Sequence, residues 1–315
     1  MDPPVNLDNH RQITREGCLP TLDAAQIDIV VNANLQEDDL QGLSSVHFDN
    51  CAFSEGAAKI RENRASIRQH SDRLSPSALT AFGRLLHTVQ DFYAHSNWIE
   101  LLQDRSPIPL WNIDVSTLPA GIHSGTWKEG NPKRCAATVP SHATMNKDKH
   151  SSPRGKTTVD RGPNRGKTLF DLAYDAALRA TKAELKWFFS GVTRYRITVV
   201  TGDVDQAGTD ANIFIVLHTP HGSSGRVYLD NISHDDFERG STDVFTVAVP
   251  GSSGPIQRVT IGFSVEEHLG EKPGWFLETV QVDDIATGYT GRFSCHRWLA
   301  TDEGDHKTIV DLSPP

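Results

Sequence analysis

Cysteine is scarce in this chain: Cys18, Cys51, Cys135 and Cys295 are the only four in 315 residues, and no two form a C-x-x-C pair. That scatter excludes a cysteine zinc knuckle and a disulfide scaffold, while leaving room for one bridge. Long apolar runs are absent too, and no window approaches the roughly 18 residues of a membrane span. The opening decapeptide, MDPPVNLDNH, has neither the basic start nor the apolar core of a signal peptide. The expectation is export by a route that needs no such signal, with action at membranes, or else residence in the cytoplasm. Nor is there an excess of positive charge. A formal net charge of −9 argues against nucleic acid as a partner of the whole chain.

What is present centres on Leu85 to Trp98, LLHTVQDFYAHSNW. Phe82, Leu85, Leu86, Val89, Phe92 and Tyr93 recur with the period of a helix. His87, Asp91 and His95 then fall one turn apart on the opposite face. Between Leu85 and Ile99 the only carboxylate or basic side chain is Asp91, so the helix reads as buried, with two imidazoles and a carboxylate facing an interior cleft. Buried charge needs a partner or a metal. His and Asp without thiolate suit zinc or a similar divalent ion. A pair of hydrogen-bonded core histidines around a structural Asp fits the spacing equally well.

Before this helix come His10, a helix around Leu22 to Asn34, the pair His47 and Asp49, and a solvent-facing helix from Ser54 to Gln69. After it, Pro107 to Thr168 has no sustained period, and long irregular runs inside a domain are often functional. Ten Lys or Arg lie between Pro119 and Thr168 against three acids, so Lys147 and Arg154 are candidates for steering anionic lipid. Leu169 to Phe189 is helical again, with Asp171 and Asp175 one turn apart. From Tyr195 onward eight short alternating stretches, separated by Gly, Pro and Asp turns, predict a β-sandwich. The predicted architecture is α plus β in two domains: 1–192 all-helical, 193–315 an eight-stranded sandwich.

The second half resembles the PLAT family, the lipoxygenase-type, C2-like sandwich. The resemblance rests on Thr201-Gly202, Ala207-Gly208-Thr209-Asp210, Phe237-Glu238-Arg239-Gly240, Gly274-Trp275-Phe276-Leu277 and Cys295-His296-Arg297-Trp298. It implies docking onto membrane lipid or a partner protein. Gly208, Thr209, Asp210, Asp230 and Asn231 supply hard oxygen ligands of the type Ca²⁺ takes, and Trp275 is a candidate lipid anchor or core residue.

The first half resembles the Het-C proteins and, more distantly, bacterial zinc-dependent phospholipases C. The matching pieces are His10 with Ile13-Thr14, His47-Phe48-Asp49-Asn50, the run from Gly83 to Trp98, and Met145-Asn146-Lys147-Asp148. The resemblance implies one to three zinc ions on His10, His47, Asp49, His87 and Asp91, with His95, Asp171 and Asp175 as further candidates. His142 and His150 stand in reserve. Three departures matter: Asp91 and His95 are closer in sequence than the phospholipase pattern, Met1 lies nine residues before His10 where the phospholipases use the amine of an N-terminal Trp, and no His opens the last helix. The function implied is a metal-dependent phosphodiesterase acting on phospholipid head groups, with Asp91 holding metal and Asp49 orienting a water. A membrane-damaging effector with little turnover and a single-strand nuclease are the alternatives.

Overall fold

The computed structural model describes residues 5–232, 234–251, 254–265 and 273–315. The first four residues of the decapeptide read above for a leader lie outside them. The chain divides into two compact units, Met1–Gln69 with Pro76–Phe188, and His70–Ser75 with Phe189–Pro315. Among the described residues no helix is long and apolar enough to cross a membrane.

The helical unit is built around α5, Pro76–His95. Leu79, Phe82, Leu85, Leu86 and Phe92 are fully buried on its apolar side, and His87 and Asp91 are equally buried on the other. Packed around it are α1 (Val5–Cys18), α2 (Ala24–Gln36), α3 (Ser44–His47), α4 (Phe53–Gln69), the short α6 (Trp98–Leu102) and α8 (Leu169–Phe188). Asp23 starts α2 with a capping box: its side chain accepts from Gln26 N while Gln26 Oε1 accepts from Asp23 N. Gly83 lets α2 approach α5 closely, since a Cβ there would strike the Val30 carbonyl. α1 is an addition to the sequence reading. Its inward positions, Ile13, Thr14, Gly17 and Cys18, keep helical spacing but include too few apolar residues to reveal it.

Residues 107–168 form mostly irregular chain, interrupted by a 3₁₀ turn at Val115–Thr117 and by α7, His142–Met145. Side-chain-to-backbone bonds hold this segment in place. The Asn50 amide grips the backbone of Trp127 from both sides, Nδ2 donating to its carbonyl at 3.1 Å and Oδ1 accepting from its N–H at 3.0 Å. A disulfide joins Cys51 to Cys135, the one bridge the cysteine count left room for.

The second unit is a sandwich of two antiparallel sheets. One has the order β5-β1-β7-β8, from Thr242–Pro250, Val192–Thr201, Gly274–Asp284 and Thr290–Ala300. The other has the order β3-β2-β6-β9, from Gly222–Ser223, Phe214–Thr219, Arg258–Gly262 and Ile309–Leu312, with β4 (Val227–Tyr228) also on β2. The eight predicted strands all occur. The two-residue β3, too short to alternate, makes a ninth among the described residues. Tyr195, Ile197 and Val199 alternate inward from β1 to meet Val280, Val282 and Phe293 in one apolar core.

Candidate metal centre

Three elements bring imidazoles to Asp91. α5 carries His87 and His95 one turn to either side of it; α1 lays His10 over His87, ring centroids 4.6 Å apart; and α3 ends on His47. Immediately after His47, Phe48, Asn50 and Cys51 all adopt left-handed backbone, φ 52°, 55° and 57°. Non-glycine residues rarely do so, and such strain persists where the surroundings hold it. Here the bend turns both His47 and Asp49 inward, to 2% exposure each.

His10 Nε2 lies 3.1 Å from Asp91 Oδ1. His87 Nε2 lies 3.2 Å from Asp91 Oδ2 and 3.2 Å from His47 Nδ1, which is itself 2.9 Å from Asp91 Oδ2. The far nitrogens decide what these distances mean. Gln90 Nε2 donates to Thr14 and Thr181, so Gln90 Oε1 accepts from His10 Nδ1 at 2.6 Å. Asn34 Nδ2 serves Thr14 and Gln90, leaving Asn34 Oδ1 to accept from His87 Nδ1 at 3.3 Å. His95 Nδ1 donates to the His47 carbonyl at 2.8 Å. In each neutral ring Nε2 is therefore a bare lone pair, and it faces a carboxylate oxygen. Two acceptors that close repel unless a cation lies between them.

That cation is a proton or a metal. Without metal, burial disfavours the imidazolium of His10, but the neighbouring Asp91 carboxylate prevails and raises its pKa to about 9. Burial likewise opposes charge on His95, and Asp91 and Asp148 lift it well above the usual value. His87 goes the other way because burial dominates. A divalent ion answers the same geometry. Tetrahedral zinc with ligands at about 2.0–2.1 Å separates its donors by roughly 3.3 Å, close to the spacings seen. Asp91 Oδ1 and His47 Nε2 are also shut off from solvent with no hydrogen-bond partner among the described residues. The residues fit a metal, and the second ring nitrogens already have the amide and carbonyl partners that orient ligating histidines.

Three groups of ligand atoms lie close enough to hold ions: His10, His87 and Asp91; Asp38, His47 and His87; and Asp49, His95 and His142. In the third, His142 Nδ1 is 2.8 Å from Asp49 Oδ1, while His95 Nε2 reaches Asp148 Oδ1 at 3.3 Å. All of these residues except Asp49 and His87 line one cavity of about 180 Å³. Its far wall is a stripe of α8.

The sandwich has polar groups of its own. Asp210, Asp235 and Glu238 bring three exposed carboxylates together on its loops, and His234, Asp236 and Asp243 converge beside them. These loops belong to a recognisable module, since residues 195–311 match the PLAT/LH2 domain family. Residues 195–311 are a PLAT/LH2 domain. The stretch is 38% identical over 122 residues to mouse lipoxygenase homology domain-containing protein 1, covering 38% of this chain and 6% of that protein. It is 32% identical over 121 residues to human polycystin-1, covering 38% of this chain and 3% of that protein. The chain thus spans only a small part of these relatives. Residues 15–160 match the VWA7 N-terminal domain, which corrects the expectation of a Het-C domain. Alpha toxin from Clostridium absonum aligns over 98% of this chain and 97% of its own, but at 13% identity and a TM-score of 0.31, a likeness that carries no functional weight.

The remaining candidates are placed as follows. Asp171 lies outside the cluster: its carboxylate accepts from Thr168 N and Oγ1 at the start of α8, a local cap. Asp175 is surface-facing and pairs with Arg179 at 2.8 Å. Lys147 is 1% exposed and donates to the Ser96 carbonyl at 2.7 Å. With Arg154 it neutralises Glu100, so neither presents a free cation for steering lipid, and Lys147 has no route to a lipid surface. Trp275 is a core residue of the PLAT domain, fully buried with Nε1 donating to Thr201 Oγ1. Asp210 and Asp230 share a pocket. Asn231 instead spends its N–H and amide on Asp236, Thr209 Oγ1 accepts from Ala211 N, and Gly208 packs against the backbone of Arg239. Asp38, a member of one of the three ligand groups, and Asp148, beside His95, were not among the sequence candidates. Asp148 sits in a basic loop and Asp38 in the acidic run Glu37-Asp38-Asp39, where neither has a periodic signature.

Proposed function

We propose that the helical unit is a zinc-dependent phosphodiesterase acting on phospholipid head groups, and that the PLAT domain associates it with lipid. The observation that carries this reading is the convergence of bare imidazole nitrogens on Asp91 inside a cavity. PLAT domains mediate lipid or protein binding, which supports the membrane as the place of action.

Bound zinc supplies Lewis acidity and lowers the pKa of water. The chain's own groups do the rest. Gln90, Asn34 and the His47 carbonyl fix the tautomers of His10, His87 and His95, so that each Nε2 stays available. Asp49, whose Oδ1 lies 2.8 Å from Nδ1 of the cavity-lining His142, is the carboxylate set to orient that imidazole and to take up a proton passed through it. The irregular segment supplies Trp127, His142, Lys147 and Asp148 to the cavity wall. Ca²⁺ at Asp210, Asp235 and Glu238 would offset three like charges and favour contact with anionic lipid.

The test is release of phosphorylated head group from phosphatidylcholine and phosphatidylglycerol vesicles by zinc-loaded protein, with Asp49→Asn alongside. Turnover that falls about 10²-fold or more in the variant, with zinc retained, is the expected result. Vesicle leakage with no head group released would replace catalysis by membrane damage.

A further inference from the structure

Two hydrogen-bond donors on residues of the cavity wall have no acceptor among the described residues. Trp127 Nε1 and Tyr174 Oη are both buried without a partner there, and both residues line the cavity that holds His10, Asp91 and His142. Leaving one such donor unmet costs on the order of 1–3 kcal/mol, and a ligand that brings acceptors removes that cost. Neither position is loose. Asn50 grips the Trp127 backbone, and the Trp127 ring stands edge-on to His142 at 5.3 Å. Tyr174 is held within helix α8.

The rest of the wall indicates what the acceptors belong to. Phe170, Ala173, Tyr174 and Ala177 follow one another at i, i+3, i+4 and i+7 on α8, and Ile13 joins them from α1. The site therefore combines a cation-holding carboxylate cluster, two neutral N–H and O–H donors, and an apolar stripe. Lys147 also lines it, but its ammonium group is spent on Ser96 O and Met145 O. A group rich in acceptor oxygens with an apolar substituent matches all three features. We infer that Trp127 and Tyr174 are substrate-orienting residues that donate to the non-bridging oxygens of a phosphate ester, with its apolar substituent lying along the α8 stripe. This rests on the phosphodiesterase reading and specifies how that site would choose its substrate.

The test uses full-length, zinc-loaded protein with inorganic phosphate and phenyl phosphate as probes, each followed by calorimetry. Trp127→Phe keeps an aromatic ring and removes the N–H with the pyrrole ring that carries it; Tyr174→Phe removes only the hydroxyl. The expected result is unchanged zinc content, binding of both probes weakened about tenfold or more in each variant, and phenyl phosphate bound more tightly than phosphate by wild type. In wild type one indole N–H proton resonance, absent from Trp127→Phe, moves downfield when phosphate is added. Equal affinities in wild type and both variants, with zinc retained by all three, overturn this inference and leave the function reading standing. A wild type that takes up no zinc and binds neither probe overturns both.

Discussion

The two units solve the problem of a core in opposite ways. The PLAT domain fills its centre with Tyr195, Ile197, Phe245, Trp275 and Phe293, and Trp275 Nε1 donates to Thr201 Oγ1 there. The helical unit gathers His10, Asn34, His47, His87, Gln90 and Asp91 on and around its central helix, most of them buried. An apolar core gains from burial alone. A core of acceptors facing one another gains only when something positive occupies the middle. The core of the sandwich should therefore be indifferent to zinc and the core of the bundle should depend on it.

Chelation gives the largest separation between the two. Removing metal is expected to cost the helical unit several kcal/mol and the PLAT core almost nothing; hydrogen exchange on α5 and β1 reads the two separately. Equal protection losses in both would erase the contrast. In the opposite direction, Trp275→Ala should cost the sandwich about 3–5 kcal/mol with zinc content unchanged, measured by denaturant unfolding and mass spectrometry.

Next in size is Cys135→Ser. Loss of the Cys51–Cys135 bridge should destabilise the helical unit by about 2–5 kcal/mol and loosen the bend that carries His47 and Asp49, lowering zinc affinity. Unchanged affinity would mean that Asn50 and its backbone bonds hold the bend unaided.

The metal-free protein should also show a pH dependence of definite sign. His10 titrates at about 9 in the folded state against 6.5 unfolded. Its contribution is fully present below about pH 6.5 and is lost as pH rises towards 9. Zinc competes with that proton, so zinc affinity should rise over the same interval, and titrations at several pH values check it. The smallest effect is expected from Asp171→Asn, about 0.5–1 kcal/mol from a weakened cap with no change in zinc.

The same contrast governed what could be read from the sequence. Each predicted strand was legible because alternation and turn residues report directly on a sandwich face. α5 was legible because fifteen of its twenty residues are buried, so that His87, Asp91 and His95 stood out against an apolar background. His10 was found, but not the helix beneath it, since Thr14 and Gly17 do at depth what apolar residues usually do. Trp127 and Asp148 reach the site on irregular chain, and His142 on the single-turn α7; such segments, held by side-chain-to-backbone bonds, leave no period. Lys147 misled for a related reason: in a basic loop it reads as solvated, whereas its ammonium group ties Ser96 O and Met145 O beneath the site.

Metal content of purified wild type and of Asp91→Asn, by mass spectrometry, tests the central claim most directly. Asp91 touches His10, His47 and His87 and lies within 3.8 Å of His95, so no other single change removes as much of the centre. One or more equivalents of zinc in wild type, lost in the variant, is the predicted result. Wild type without zinc, or a variant that retains it fully, would contradict a metal centre at Asp91 and return the cluster to a set of proton-shared core histidines.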